Sequence, residues 1–282
     1  MSTTQLGVAI RHHTGFTYEG LAKASYNEAR MTPASGPHQS VRLCQISVRP
    51  DVTLATYVDY FGTTVTTFDI QDPHSRLEVE AQSTIESRAA VVERPLSWVA
   101  LGGESLRDQY SEYLRATPRT VLSPEALAHV EAWPGQLDVH QCARAVGEMV
   151  RERVSYVPGA TSVSSTAQEA WDRGEGVCQD ITHVTIGLLR ELGIPTRYVS
   201  GYLYPTSDVE IGEMAAGQSH AWVEYFSGSW TGWDPTNALG ETERHIIVGR
   251  GRDYDDVAPL KGIYQGPASS NLGVVVEMRR LF

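Results

Sequence analysis

At 282 residues, with 41% hydrophobic and 20% charged residues, the chain has the composition of a soluble globular protein long enough for one large or two ordinary domains. A net charge of -11 at pH 7 argues against nucleic acid as a partner and supplies no basic patch for an anionic membrane. Three widely separated cysteines, an odd number, argue against a disulfide framework and for a reducing cytoplasm.

No run is apolar and long enough to span a bilayer. Arg11, His12 and His13 interrupt the apolar stretch from Val8 to Ile10, so no secretory leader is expected at the start. The first hundred residues read as β-rich. Gln39 to Pro50 alternates, Thr53 to Thr67 is dense in Val, Tyr, Thr and Phe around a Phe61-Gly62 turn, and Arg76 to Ser87 alternates through Leu77, Val79, Ala81 and Ile85. Strands of this kind predict a small antiparallel sandwich. Near Arg94-Pro95 the pattern changes, and a domain boundary is expected close to residue 98, with a β domain at 1–98 and a second domain at 99–282. From Glu104 to Val154 the period is helical. Ser123-Pro124-Glu125 is a helix start with proline at the first position, and Asp138 opens a helix with the apolar stripe Val139, Cys142, Ala143, Val146, Met149 and Val150.

Further along, Thr166-Ala167-Gln168-Glu169 has capping-box spacing and opens a short helix ending near Gly174. Gly174 and Gly176 allow a tight turn into an amphipathic helix that begins at Cys178, faces inward with Ile181, Val184, Leu188, Leu189 and Leu192, and stops at Gly193 and Pro195. Strands follow at Thr196 to Tyr204, His220 to Phe226 and Ser229 to Trp233, with later ones at His245 to Arg250 and Leu272 to Arg279.

Chemistry concentrates in this half. A cysteine at a helix start, followed in order by His220 and Asp234, reads as nucleophile, base and orienting carboxylate. A thiol attacks acyl carbon as thiolate, against a free-thiol pKa of about 8.5. The helix N-terminus favours an anion by only about 0.3 to 1 kcal/mol, so a neighbouring imidazolium has to supply the rest. His220 fills that need, and Asp234 is the group that fixes its tautomer. A cysteine taken alone is more often an inert packing residue. Cys142 in a helical apolar stripe and Cys44 in an alternating strand are read that way. His183 lies five residues after Cys178, about 140° around the helix, and is read as a structural or surface histidine. Asp180, about 200° around, is read as a first-turn acid favoured by the dipole, with a second bond nearby. The Cys178 amide is the natural first oxyanion donor, and the second is open among Gln179, Trp171 and Tyr156. Tyr202, Tyr204, Trp222, Tyr225, Trp230 and Trp233 are core residues, of which one or two would line an acyl groove. The sequence has no HExxH, CxxC, Walker loop, GxGxxG after a strand, EF-hand loop or GxSxG elbow, so neither a cofactor nor a metal is implied.

Three separated blocks carry a resemblance: Gly176-Val177-Cys178-Gln179-Asp180 with Leu188 to Tyr202, then His220-Ala221-Trp222-Val223-Glu224, then Trp233-Asp234-Pro235-Thr236. In that order they resemble the transglutaminase-like superfamily. Gly249 to Pro259 looks like the continuation in bacterial members. His13-Thr14, Tyr18, Asn27 to Met31, Pro33 and Asp59 to Gly62 are similar to the bacterial transglutaminase-like N-terminal region, with Thr63 where asparagine is common. The resemblance implies an α+β fold, in which a β-sandwich-like N-terminal domain precedes a papain-like core. It also implies Cys178 as nucleophile, His220 as general base and acid, and Asp234 as the orienting third member. Proteases, amidases, peptide-N-glycanase-like enzymes and inactive scaffolds belong to this superfamily, and the calcium dependence of animal transglutaminases has no matching ligand motif here. The expected activity is therefore a cysteine amide acyl transfer on a peptide or protein, with hydrolysis through a thioester favoured over a glutamine γ-glutamyl transfer to an amine. A catalytically silent binding module is the rival reading, and a metal site using Cys178 and His220 lacks further ligands at recognisable spacing.

Overall fold

From Leu77 to Ser87 every second side chain is buried, the period of a strand with one face on a core. The computed structural model describes residues 5–205 and 210–282. Its first part holds strands β1 (Gln5–Ala22), β2 (Ala24–Ala29), β3 (Gln39–Arg49), β4 (Ala55–Val58), β5 (Thr64–Ile70) and β6 (His74–Arg88). β1 is not among the strands the sequence predicts. Basic and polar residues fill its middle, yet His12 and Thr14 are buried in step with Leu6, Val8 and Ile10. His12 Nδ1 is paired with the Tyr202 hydroxyl at 2.8 Å, while its buried Nε2 has no partner among the described residues.

The second part contributes helices α1 (Val139–Arg153), α2 (Ala167–Arg173) and α3 (Cys178–Glu191), then strands β7 (Thr196–Leu203), β8 (Met214–Phe226), β9 (Trp230–Asp234), β10 (His245–Gly251), β11 (Leu260–Gln265) and β12 (Val275–Arg280). The expected caps are present. Asp138 and Thr166 each form a reciprocal capping box, with Gln141 and Glu169 respectively. Between residues 98 and 138 the helical period yields only short pieces, among them Glu104–Gln109 and Pro124–Leu127.

Antiparallel pairing runs β3-β6-β1-β12-β8 and continues through β7, β9 and β10 in one ten-stranded sheet. A second sheet, β11-β2-β5-β4, packs on it around Tyr18, Phe68, Ile70, Leu77 and Val79. The fold is thus α+β, an antiparallel sandwich followed by a helix-on-sheet core. β8 ties the two together. Its Met214 to Gly217 pair with β12 beside β1, while Gln218 to Tyr225 pair with β7. Because β11 and β12 return residues 260–280 to the first sheets, the division near residue 98 is proposed as a division of the chain order only.

α3 is expected to be amphipathic, but 12 of its 14 residues are buried. It runs through the middle of the core, with α1 and β8 supplying Val146, Val150, Ala221, Val223 and Tyr225 around it. A fully buried Val or Leu is worth about 1.5 to 3 kcal/mol, so this packing fixes the helix firmly. At its C-terminal end Arg190, 4% exposed, donates to the carbonyls of Thr196 (2.8 Å), Arg115 (2.9 Å) and Arg252 (2.7 Å). Arg190→Met is therefore expected to leave buried carbonyls unpaired and cost about 3 kcal/mol, read as a lower urea midpoint at unchanged slope. A midpoint equal to wild type would contradict this role. No helix among the described residues is long and apolar enough to cross a membrane.

Candidate active site

α2 ends on Gly174 in the left-handed region (φ 70°), and the chain reverses into α3. Gly176 is needed in this turn because a Cβ there would lie 2.8 Å from that of Asp180. Asp180 folds back over the turn, where Oδ2 accepts from the Val177 amide (2.8 Å) and the Thr161 hydroxyl (2.6 Å). Burial raises its carboxyl pKa against the pull of these bonds. Asp180, the first-turn acid of α3, thus clamps the turn that carries Cys178. Gln179 donates to the Val163 carbonyl at 3.2 Å, so the segment at 157–165 is tethered to the helix start at two points. Cys178 itself is the first residue of α3 and half-buried.

The imidazole and carboxylate come from the sheet. Antiparallel pairing of Val223 with Trp233 sets Asp234 opposite Trp222, close to His220 on the same strand. His220 Nε2 lies 2.8 Å from Asp234 Oδ2, and both side chains are buried. Cys178 is its other partner. Burial opposes the imidazolium, but the bond to Asp234, then the bond to Cys178 and the charges of both, push the His220 pKa up to about 10. Structure thus brings the three residues singled out in the sequence into one cluster.

Asp234 is held from every side. Oδ1 accepts the amides of Thr236 (3.0 Å) and Asn237 (3.2 Å), while Oδ2 faces His220, Asn237 Nδ2 (2.8 Å) and His245 Nε2 (3.2 Å). Despite burial, these donors keep its carboxyl well below the usual range. His245 Nδ1 accepts the Thr242 amide at 3.1 Å, which assigns its hydrogen to Nε2, pointing at Asp234. The ligand atoms of His220, Asp234 and His245 lie within 4.8 Å of one another, as in a metal cluster. The donor chemistry differs, since His245 presents an N–H and not a lone pair. His245 and Asn237 are the members that sequence reasoning missed. The available signal was a histidine opening the predicted strand at His245 to Arg250.

The residues set aside stay apart. His183 is buried and accepts the Tyr254 amide at 3.1 Å through Nε2, and burial lowers its pKa to about 3. Burial raises the thiol pKa of Cys44, and that of Cys142 to about 11. Of the three open oxyanion donors, Gln179 spends its amide on Val163, and buried Trp171 packs under the Arg153 guanidinium at 5.4 Å. Tyr156 is half exposed, and its phenol pKa is raised by burial and then by the nearby Cys178.

The chain is similar to known proteins over most of its length. The bacterial transglutaminase-like N-terminal region matches residues 8–86, and the transglutaminase-like superfamily matches residues 131–235. An uncharacterized protein of Mycobacterium leprae is 41% identical, over 96% of this chain and 98% of its own. One from Mycobacterium tuberculosis is 28% identical, over 95% and 91%. A candidate cysteine protease from Cytophaga hutchinsonii superposes with a TM-score of 0.78 at 18% identity, covering 99% of this chain and 92% of its own, which speaks for the fold alone.

Proposed function

Because the chain belongs to the transglutaminase-like superfamily, we propose that it is a cysteine-nucleophile acyl-transfer enzyme acting on a peptide or protein amide in the cytoplasm. One observation carries the reading: His220 is shared between Cys178 and a fully buried Asp234. Cys178 sulfur attacks the carbonyl carbon while the His220 imidazolium gives its proton to the departing amine. A thioester forms on the sulfur, and the amine leaves neutral. His220 then draws a proton from water, the hydroxide attacks the thioester, and acid and thiolate are regenerated. Asp234 keeps the ring oriented and stabilises its charge throughout. At the helix start the Cys178 amide serves the developing oxyanion, and Tyr156 is the better placed of the open second donors.

Hydrolysis is favoured because water needs no second pocket. Incorporation of a fluorescent amine into the acylated product would instead mark a γ-glutamyl-type transferase.

Alkylation by iodoacetamide tests the site without a substrate, since thiolate is the reacting form. At pH 6 Cys178 is expected to react about tenfold or more faster in wild type than in His220→Ala, with Cys44 and Cys142 as internal references resolved by peptide mass. Equal rates in the two proteins would leave a catalytically silent binding module as the better account.

A further inference from the structure

Trp222 stands between the triad and a separate cavity of about 310 Å³. On one side its ring lies 6.0 Å from that of His220 and 5.1 Å from that of His245, and on the other its indole N–H donates to Glu241 Oε2 at 3.0 Å. The cavity wall carries Arg197 from β7, Glu224 from β8, Trp230 from β9 and Arg250 from β10, with Glu241 and His38. Neither Cys178 nor His220 lines it.

The charges are not explained by mutual pairing alone. Arg197 and Arg250 both turn Nε and Nη2 to Glu224, and among the described residues Nη1 of each carries no bond. Glu241 is bonded by Trp222 and by neither arginine. The buried Nδ1 of His38 has no partner. Gly232 keeps room for Glu241, because a Cβ there would lie 2.5 Å from the glutamate Cβ. Backbone space has thus been cleared to hold a second carboxylate beside a cluster that already contained one.

With all four groups ionised, two arginines and two glutamates sum to no net charge. A lone anion or a lone cation entering this site would leave a buried charge uncompensated, which is costly. A molecule carrying both charges would not. The volume lies at the lower end for ligand pockets, about 300 to 1,000 Å³.

We propose that this cavity binds a small zwitterion of the free amino-acid class, its carboxylate against Arg197 and Arg250 and its ammonium against Glu241. Burial, and then the charge of Glu224, raise the Glu241 pKa to about 7, so at pH 7.5 its carboxylate is the major form and an arriving ammonium favours it further. Trp222 gives the site a route to His220 and His245, which its ring faces.

Isothermal titration of the full chain at pH 7.5 with a panel of common L-amino acids, acetate and methylammonium tests this directly. At least one amino acid is expected to bind once per chain, about tenfold or more tighter than acetate or methylammonium. Glu241→Gln keeps an acceptor for Trp222 and the side-chain volume, and is expected to weaken that binding about tenfold or more. Three results would overturn the proposal: no amino acid binding at about 10 mM, acetate binding as tightly as the amino acid, or unchanged affinity in folded Glu241→Gln. Binding is read without turnover, so failure of the acyl-transfer reading would leave this result standing, and the reverse.

Discussion

Replacing Cys178 with alanine is expected to lower turnover by about 10³-fold or more while leaving the unfolding midpoint near that of wild type. The two halves of this expectation have separate causes. The loss follows from removing the only atom that forms the thioester, since neither Cys44 nor Cys142 shares a partner with His220 or Asp234. The retained stability follows from the clamp around the helix start, where Asp180 holds Val177 and Thr161, Gly176 makes the turn and Gln179 ties down Val163 without using the sulfur. An activity probe that traps the acylated sulfur in cell extract, followed by mass spectrometry of the acyl fragment, identifies the substrate on which the rates are compared. Wild-type turnover by Cys178→Ala on that substrate would remove the sulfur from the chemistry.

Sequence reading reached furthest where the determinants are local. The capping boxes at Asp138 and Thr166, the left-handed stops at Gly174 and Gly193, and the alternation from Leu77 to Ile85 each depend on residues a few positions apart. The order Cys178, His220, Asp234 was legible because the blocks around them are distinctive, and the resemblance supplied what spacing alone could not. What stayed hidden is non-local. His245 reaches Asp234 from a different strand, and its tautomer is set by Thr242. Glu224 reads as one more polar residue on β8 until β7 and β10 bring Arg197 and Arg250 to it. The middle of β1 is polar in sequence, and its burial follows from being flanked by β6 and β12. The polar Thr182, His183, Thr185 and Arg190 make α3 one-sided in sequence, yet all four are buried in this fold. Thr185 back-bonds to the Ile181 carbonyl, His183 takes an amide and Arg190 takes three carbonyls. The partners of His183 and Arg190 are assembled by the fold and leave no mark at a fixed spacing.

Asp234→Asn is expected to cut kcat/KM by about 10³-fold and to move its alkaline limb downward. Asparagine preserves shape and its one oxygen still accepts a hydrogen from neutral His220, while the NH2 in place of Oδ1 gives up the Thr236 and Asn237 amides, so the variant folds with lower stability. The anion that sustains the imidazolium is lost. In wild type the proton destined for the leaving amine stays on His220 up to about pH 10. In the variant the limb falls toward the ordinary histidine value of about 6.5. Stability follows the same groups with opposite signs. The folded pKa of Asp234 is depressed, so its contribution is present above the unfolded value of about 3.9 and is lost as pH falls through the lower folded value. That of His220 is raised, so its contribution is full below about 6.5 and is lost as pH rises through about 10. Urea unfolding should therefore show the largest gap between wild type and Asp234→Asn at about pH 4 to 6.5, narrowing on both sides. A gap that does not vary with pH, together with an alkaline limb unmoved by the substitution, would mean that His220 does not draw its charge from Asp234.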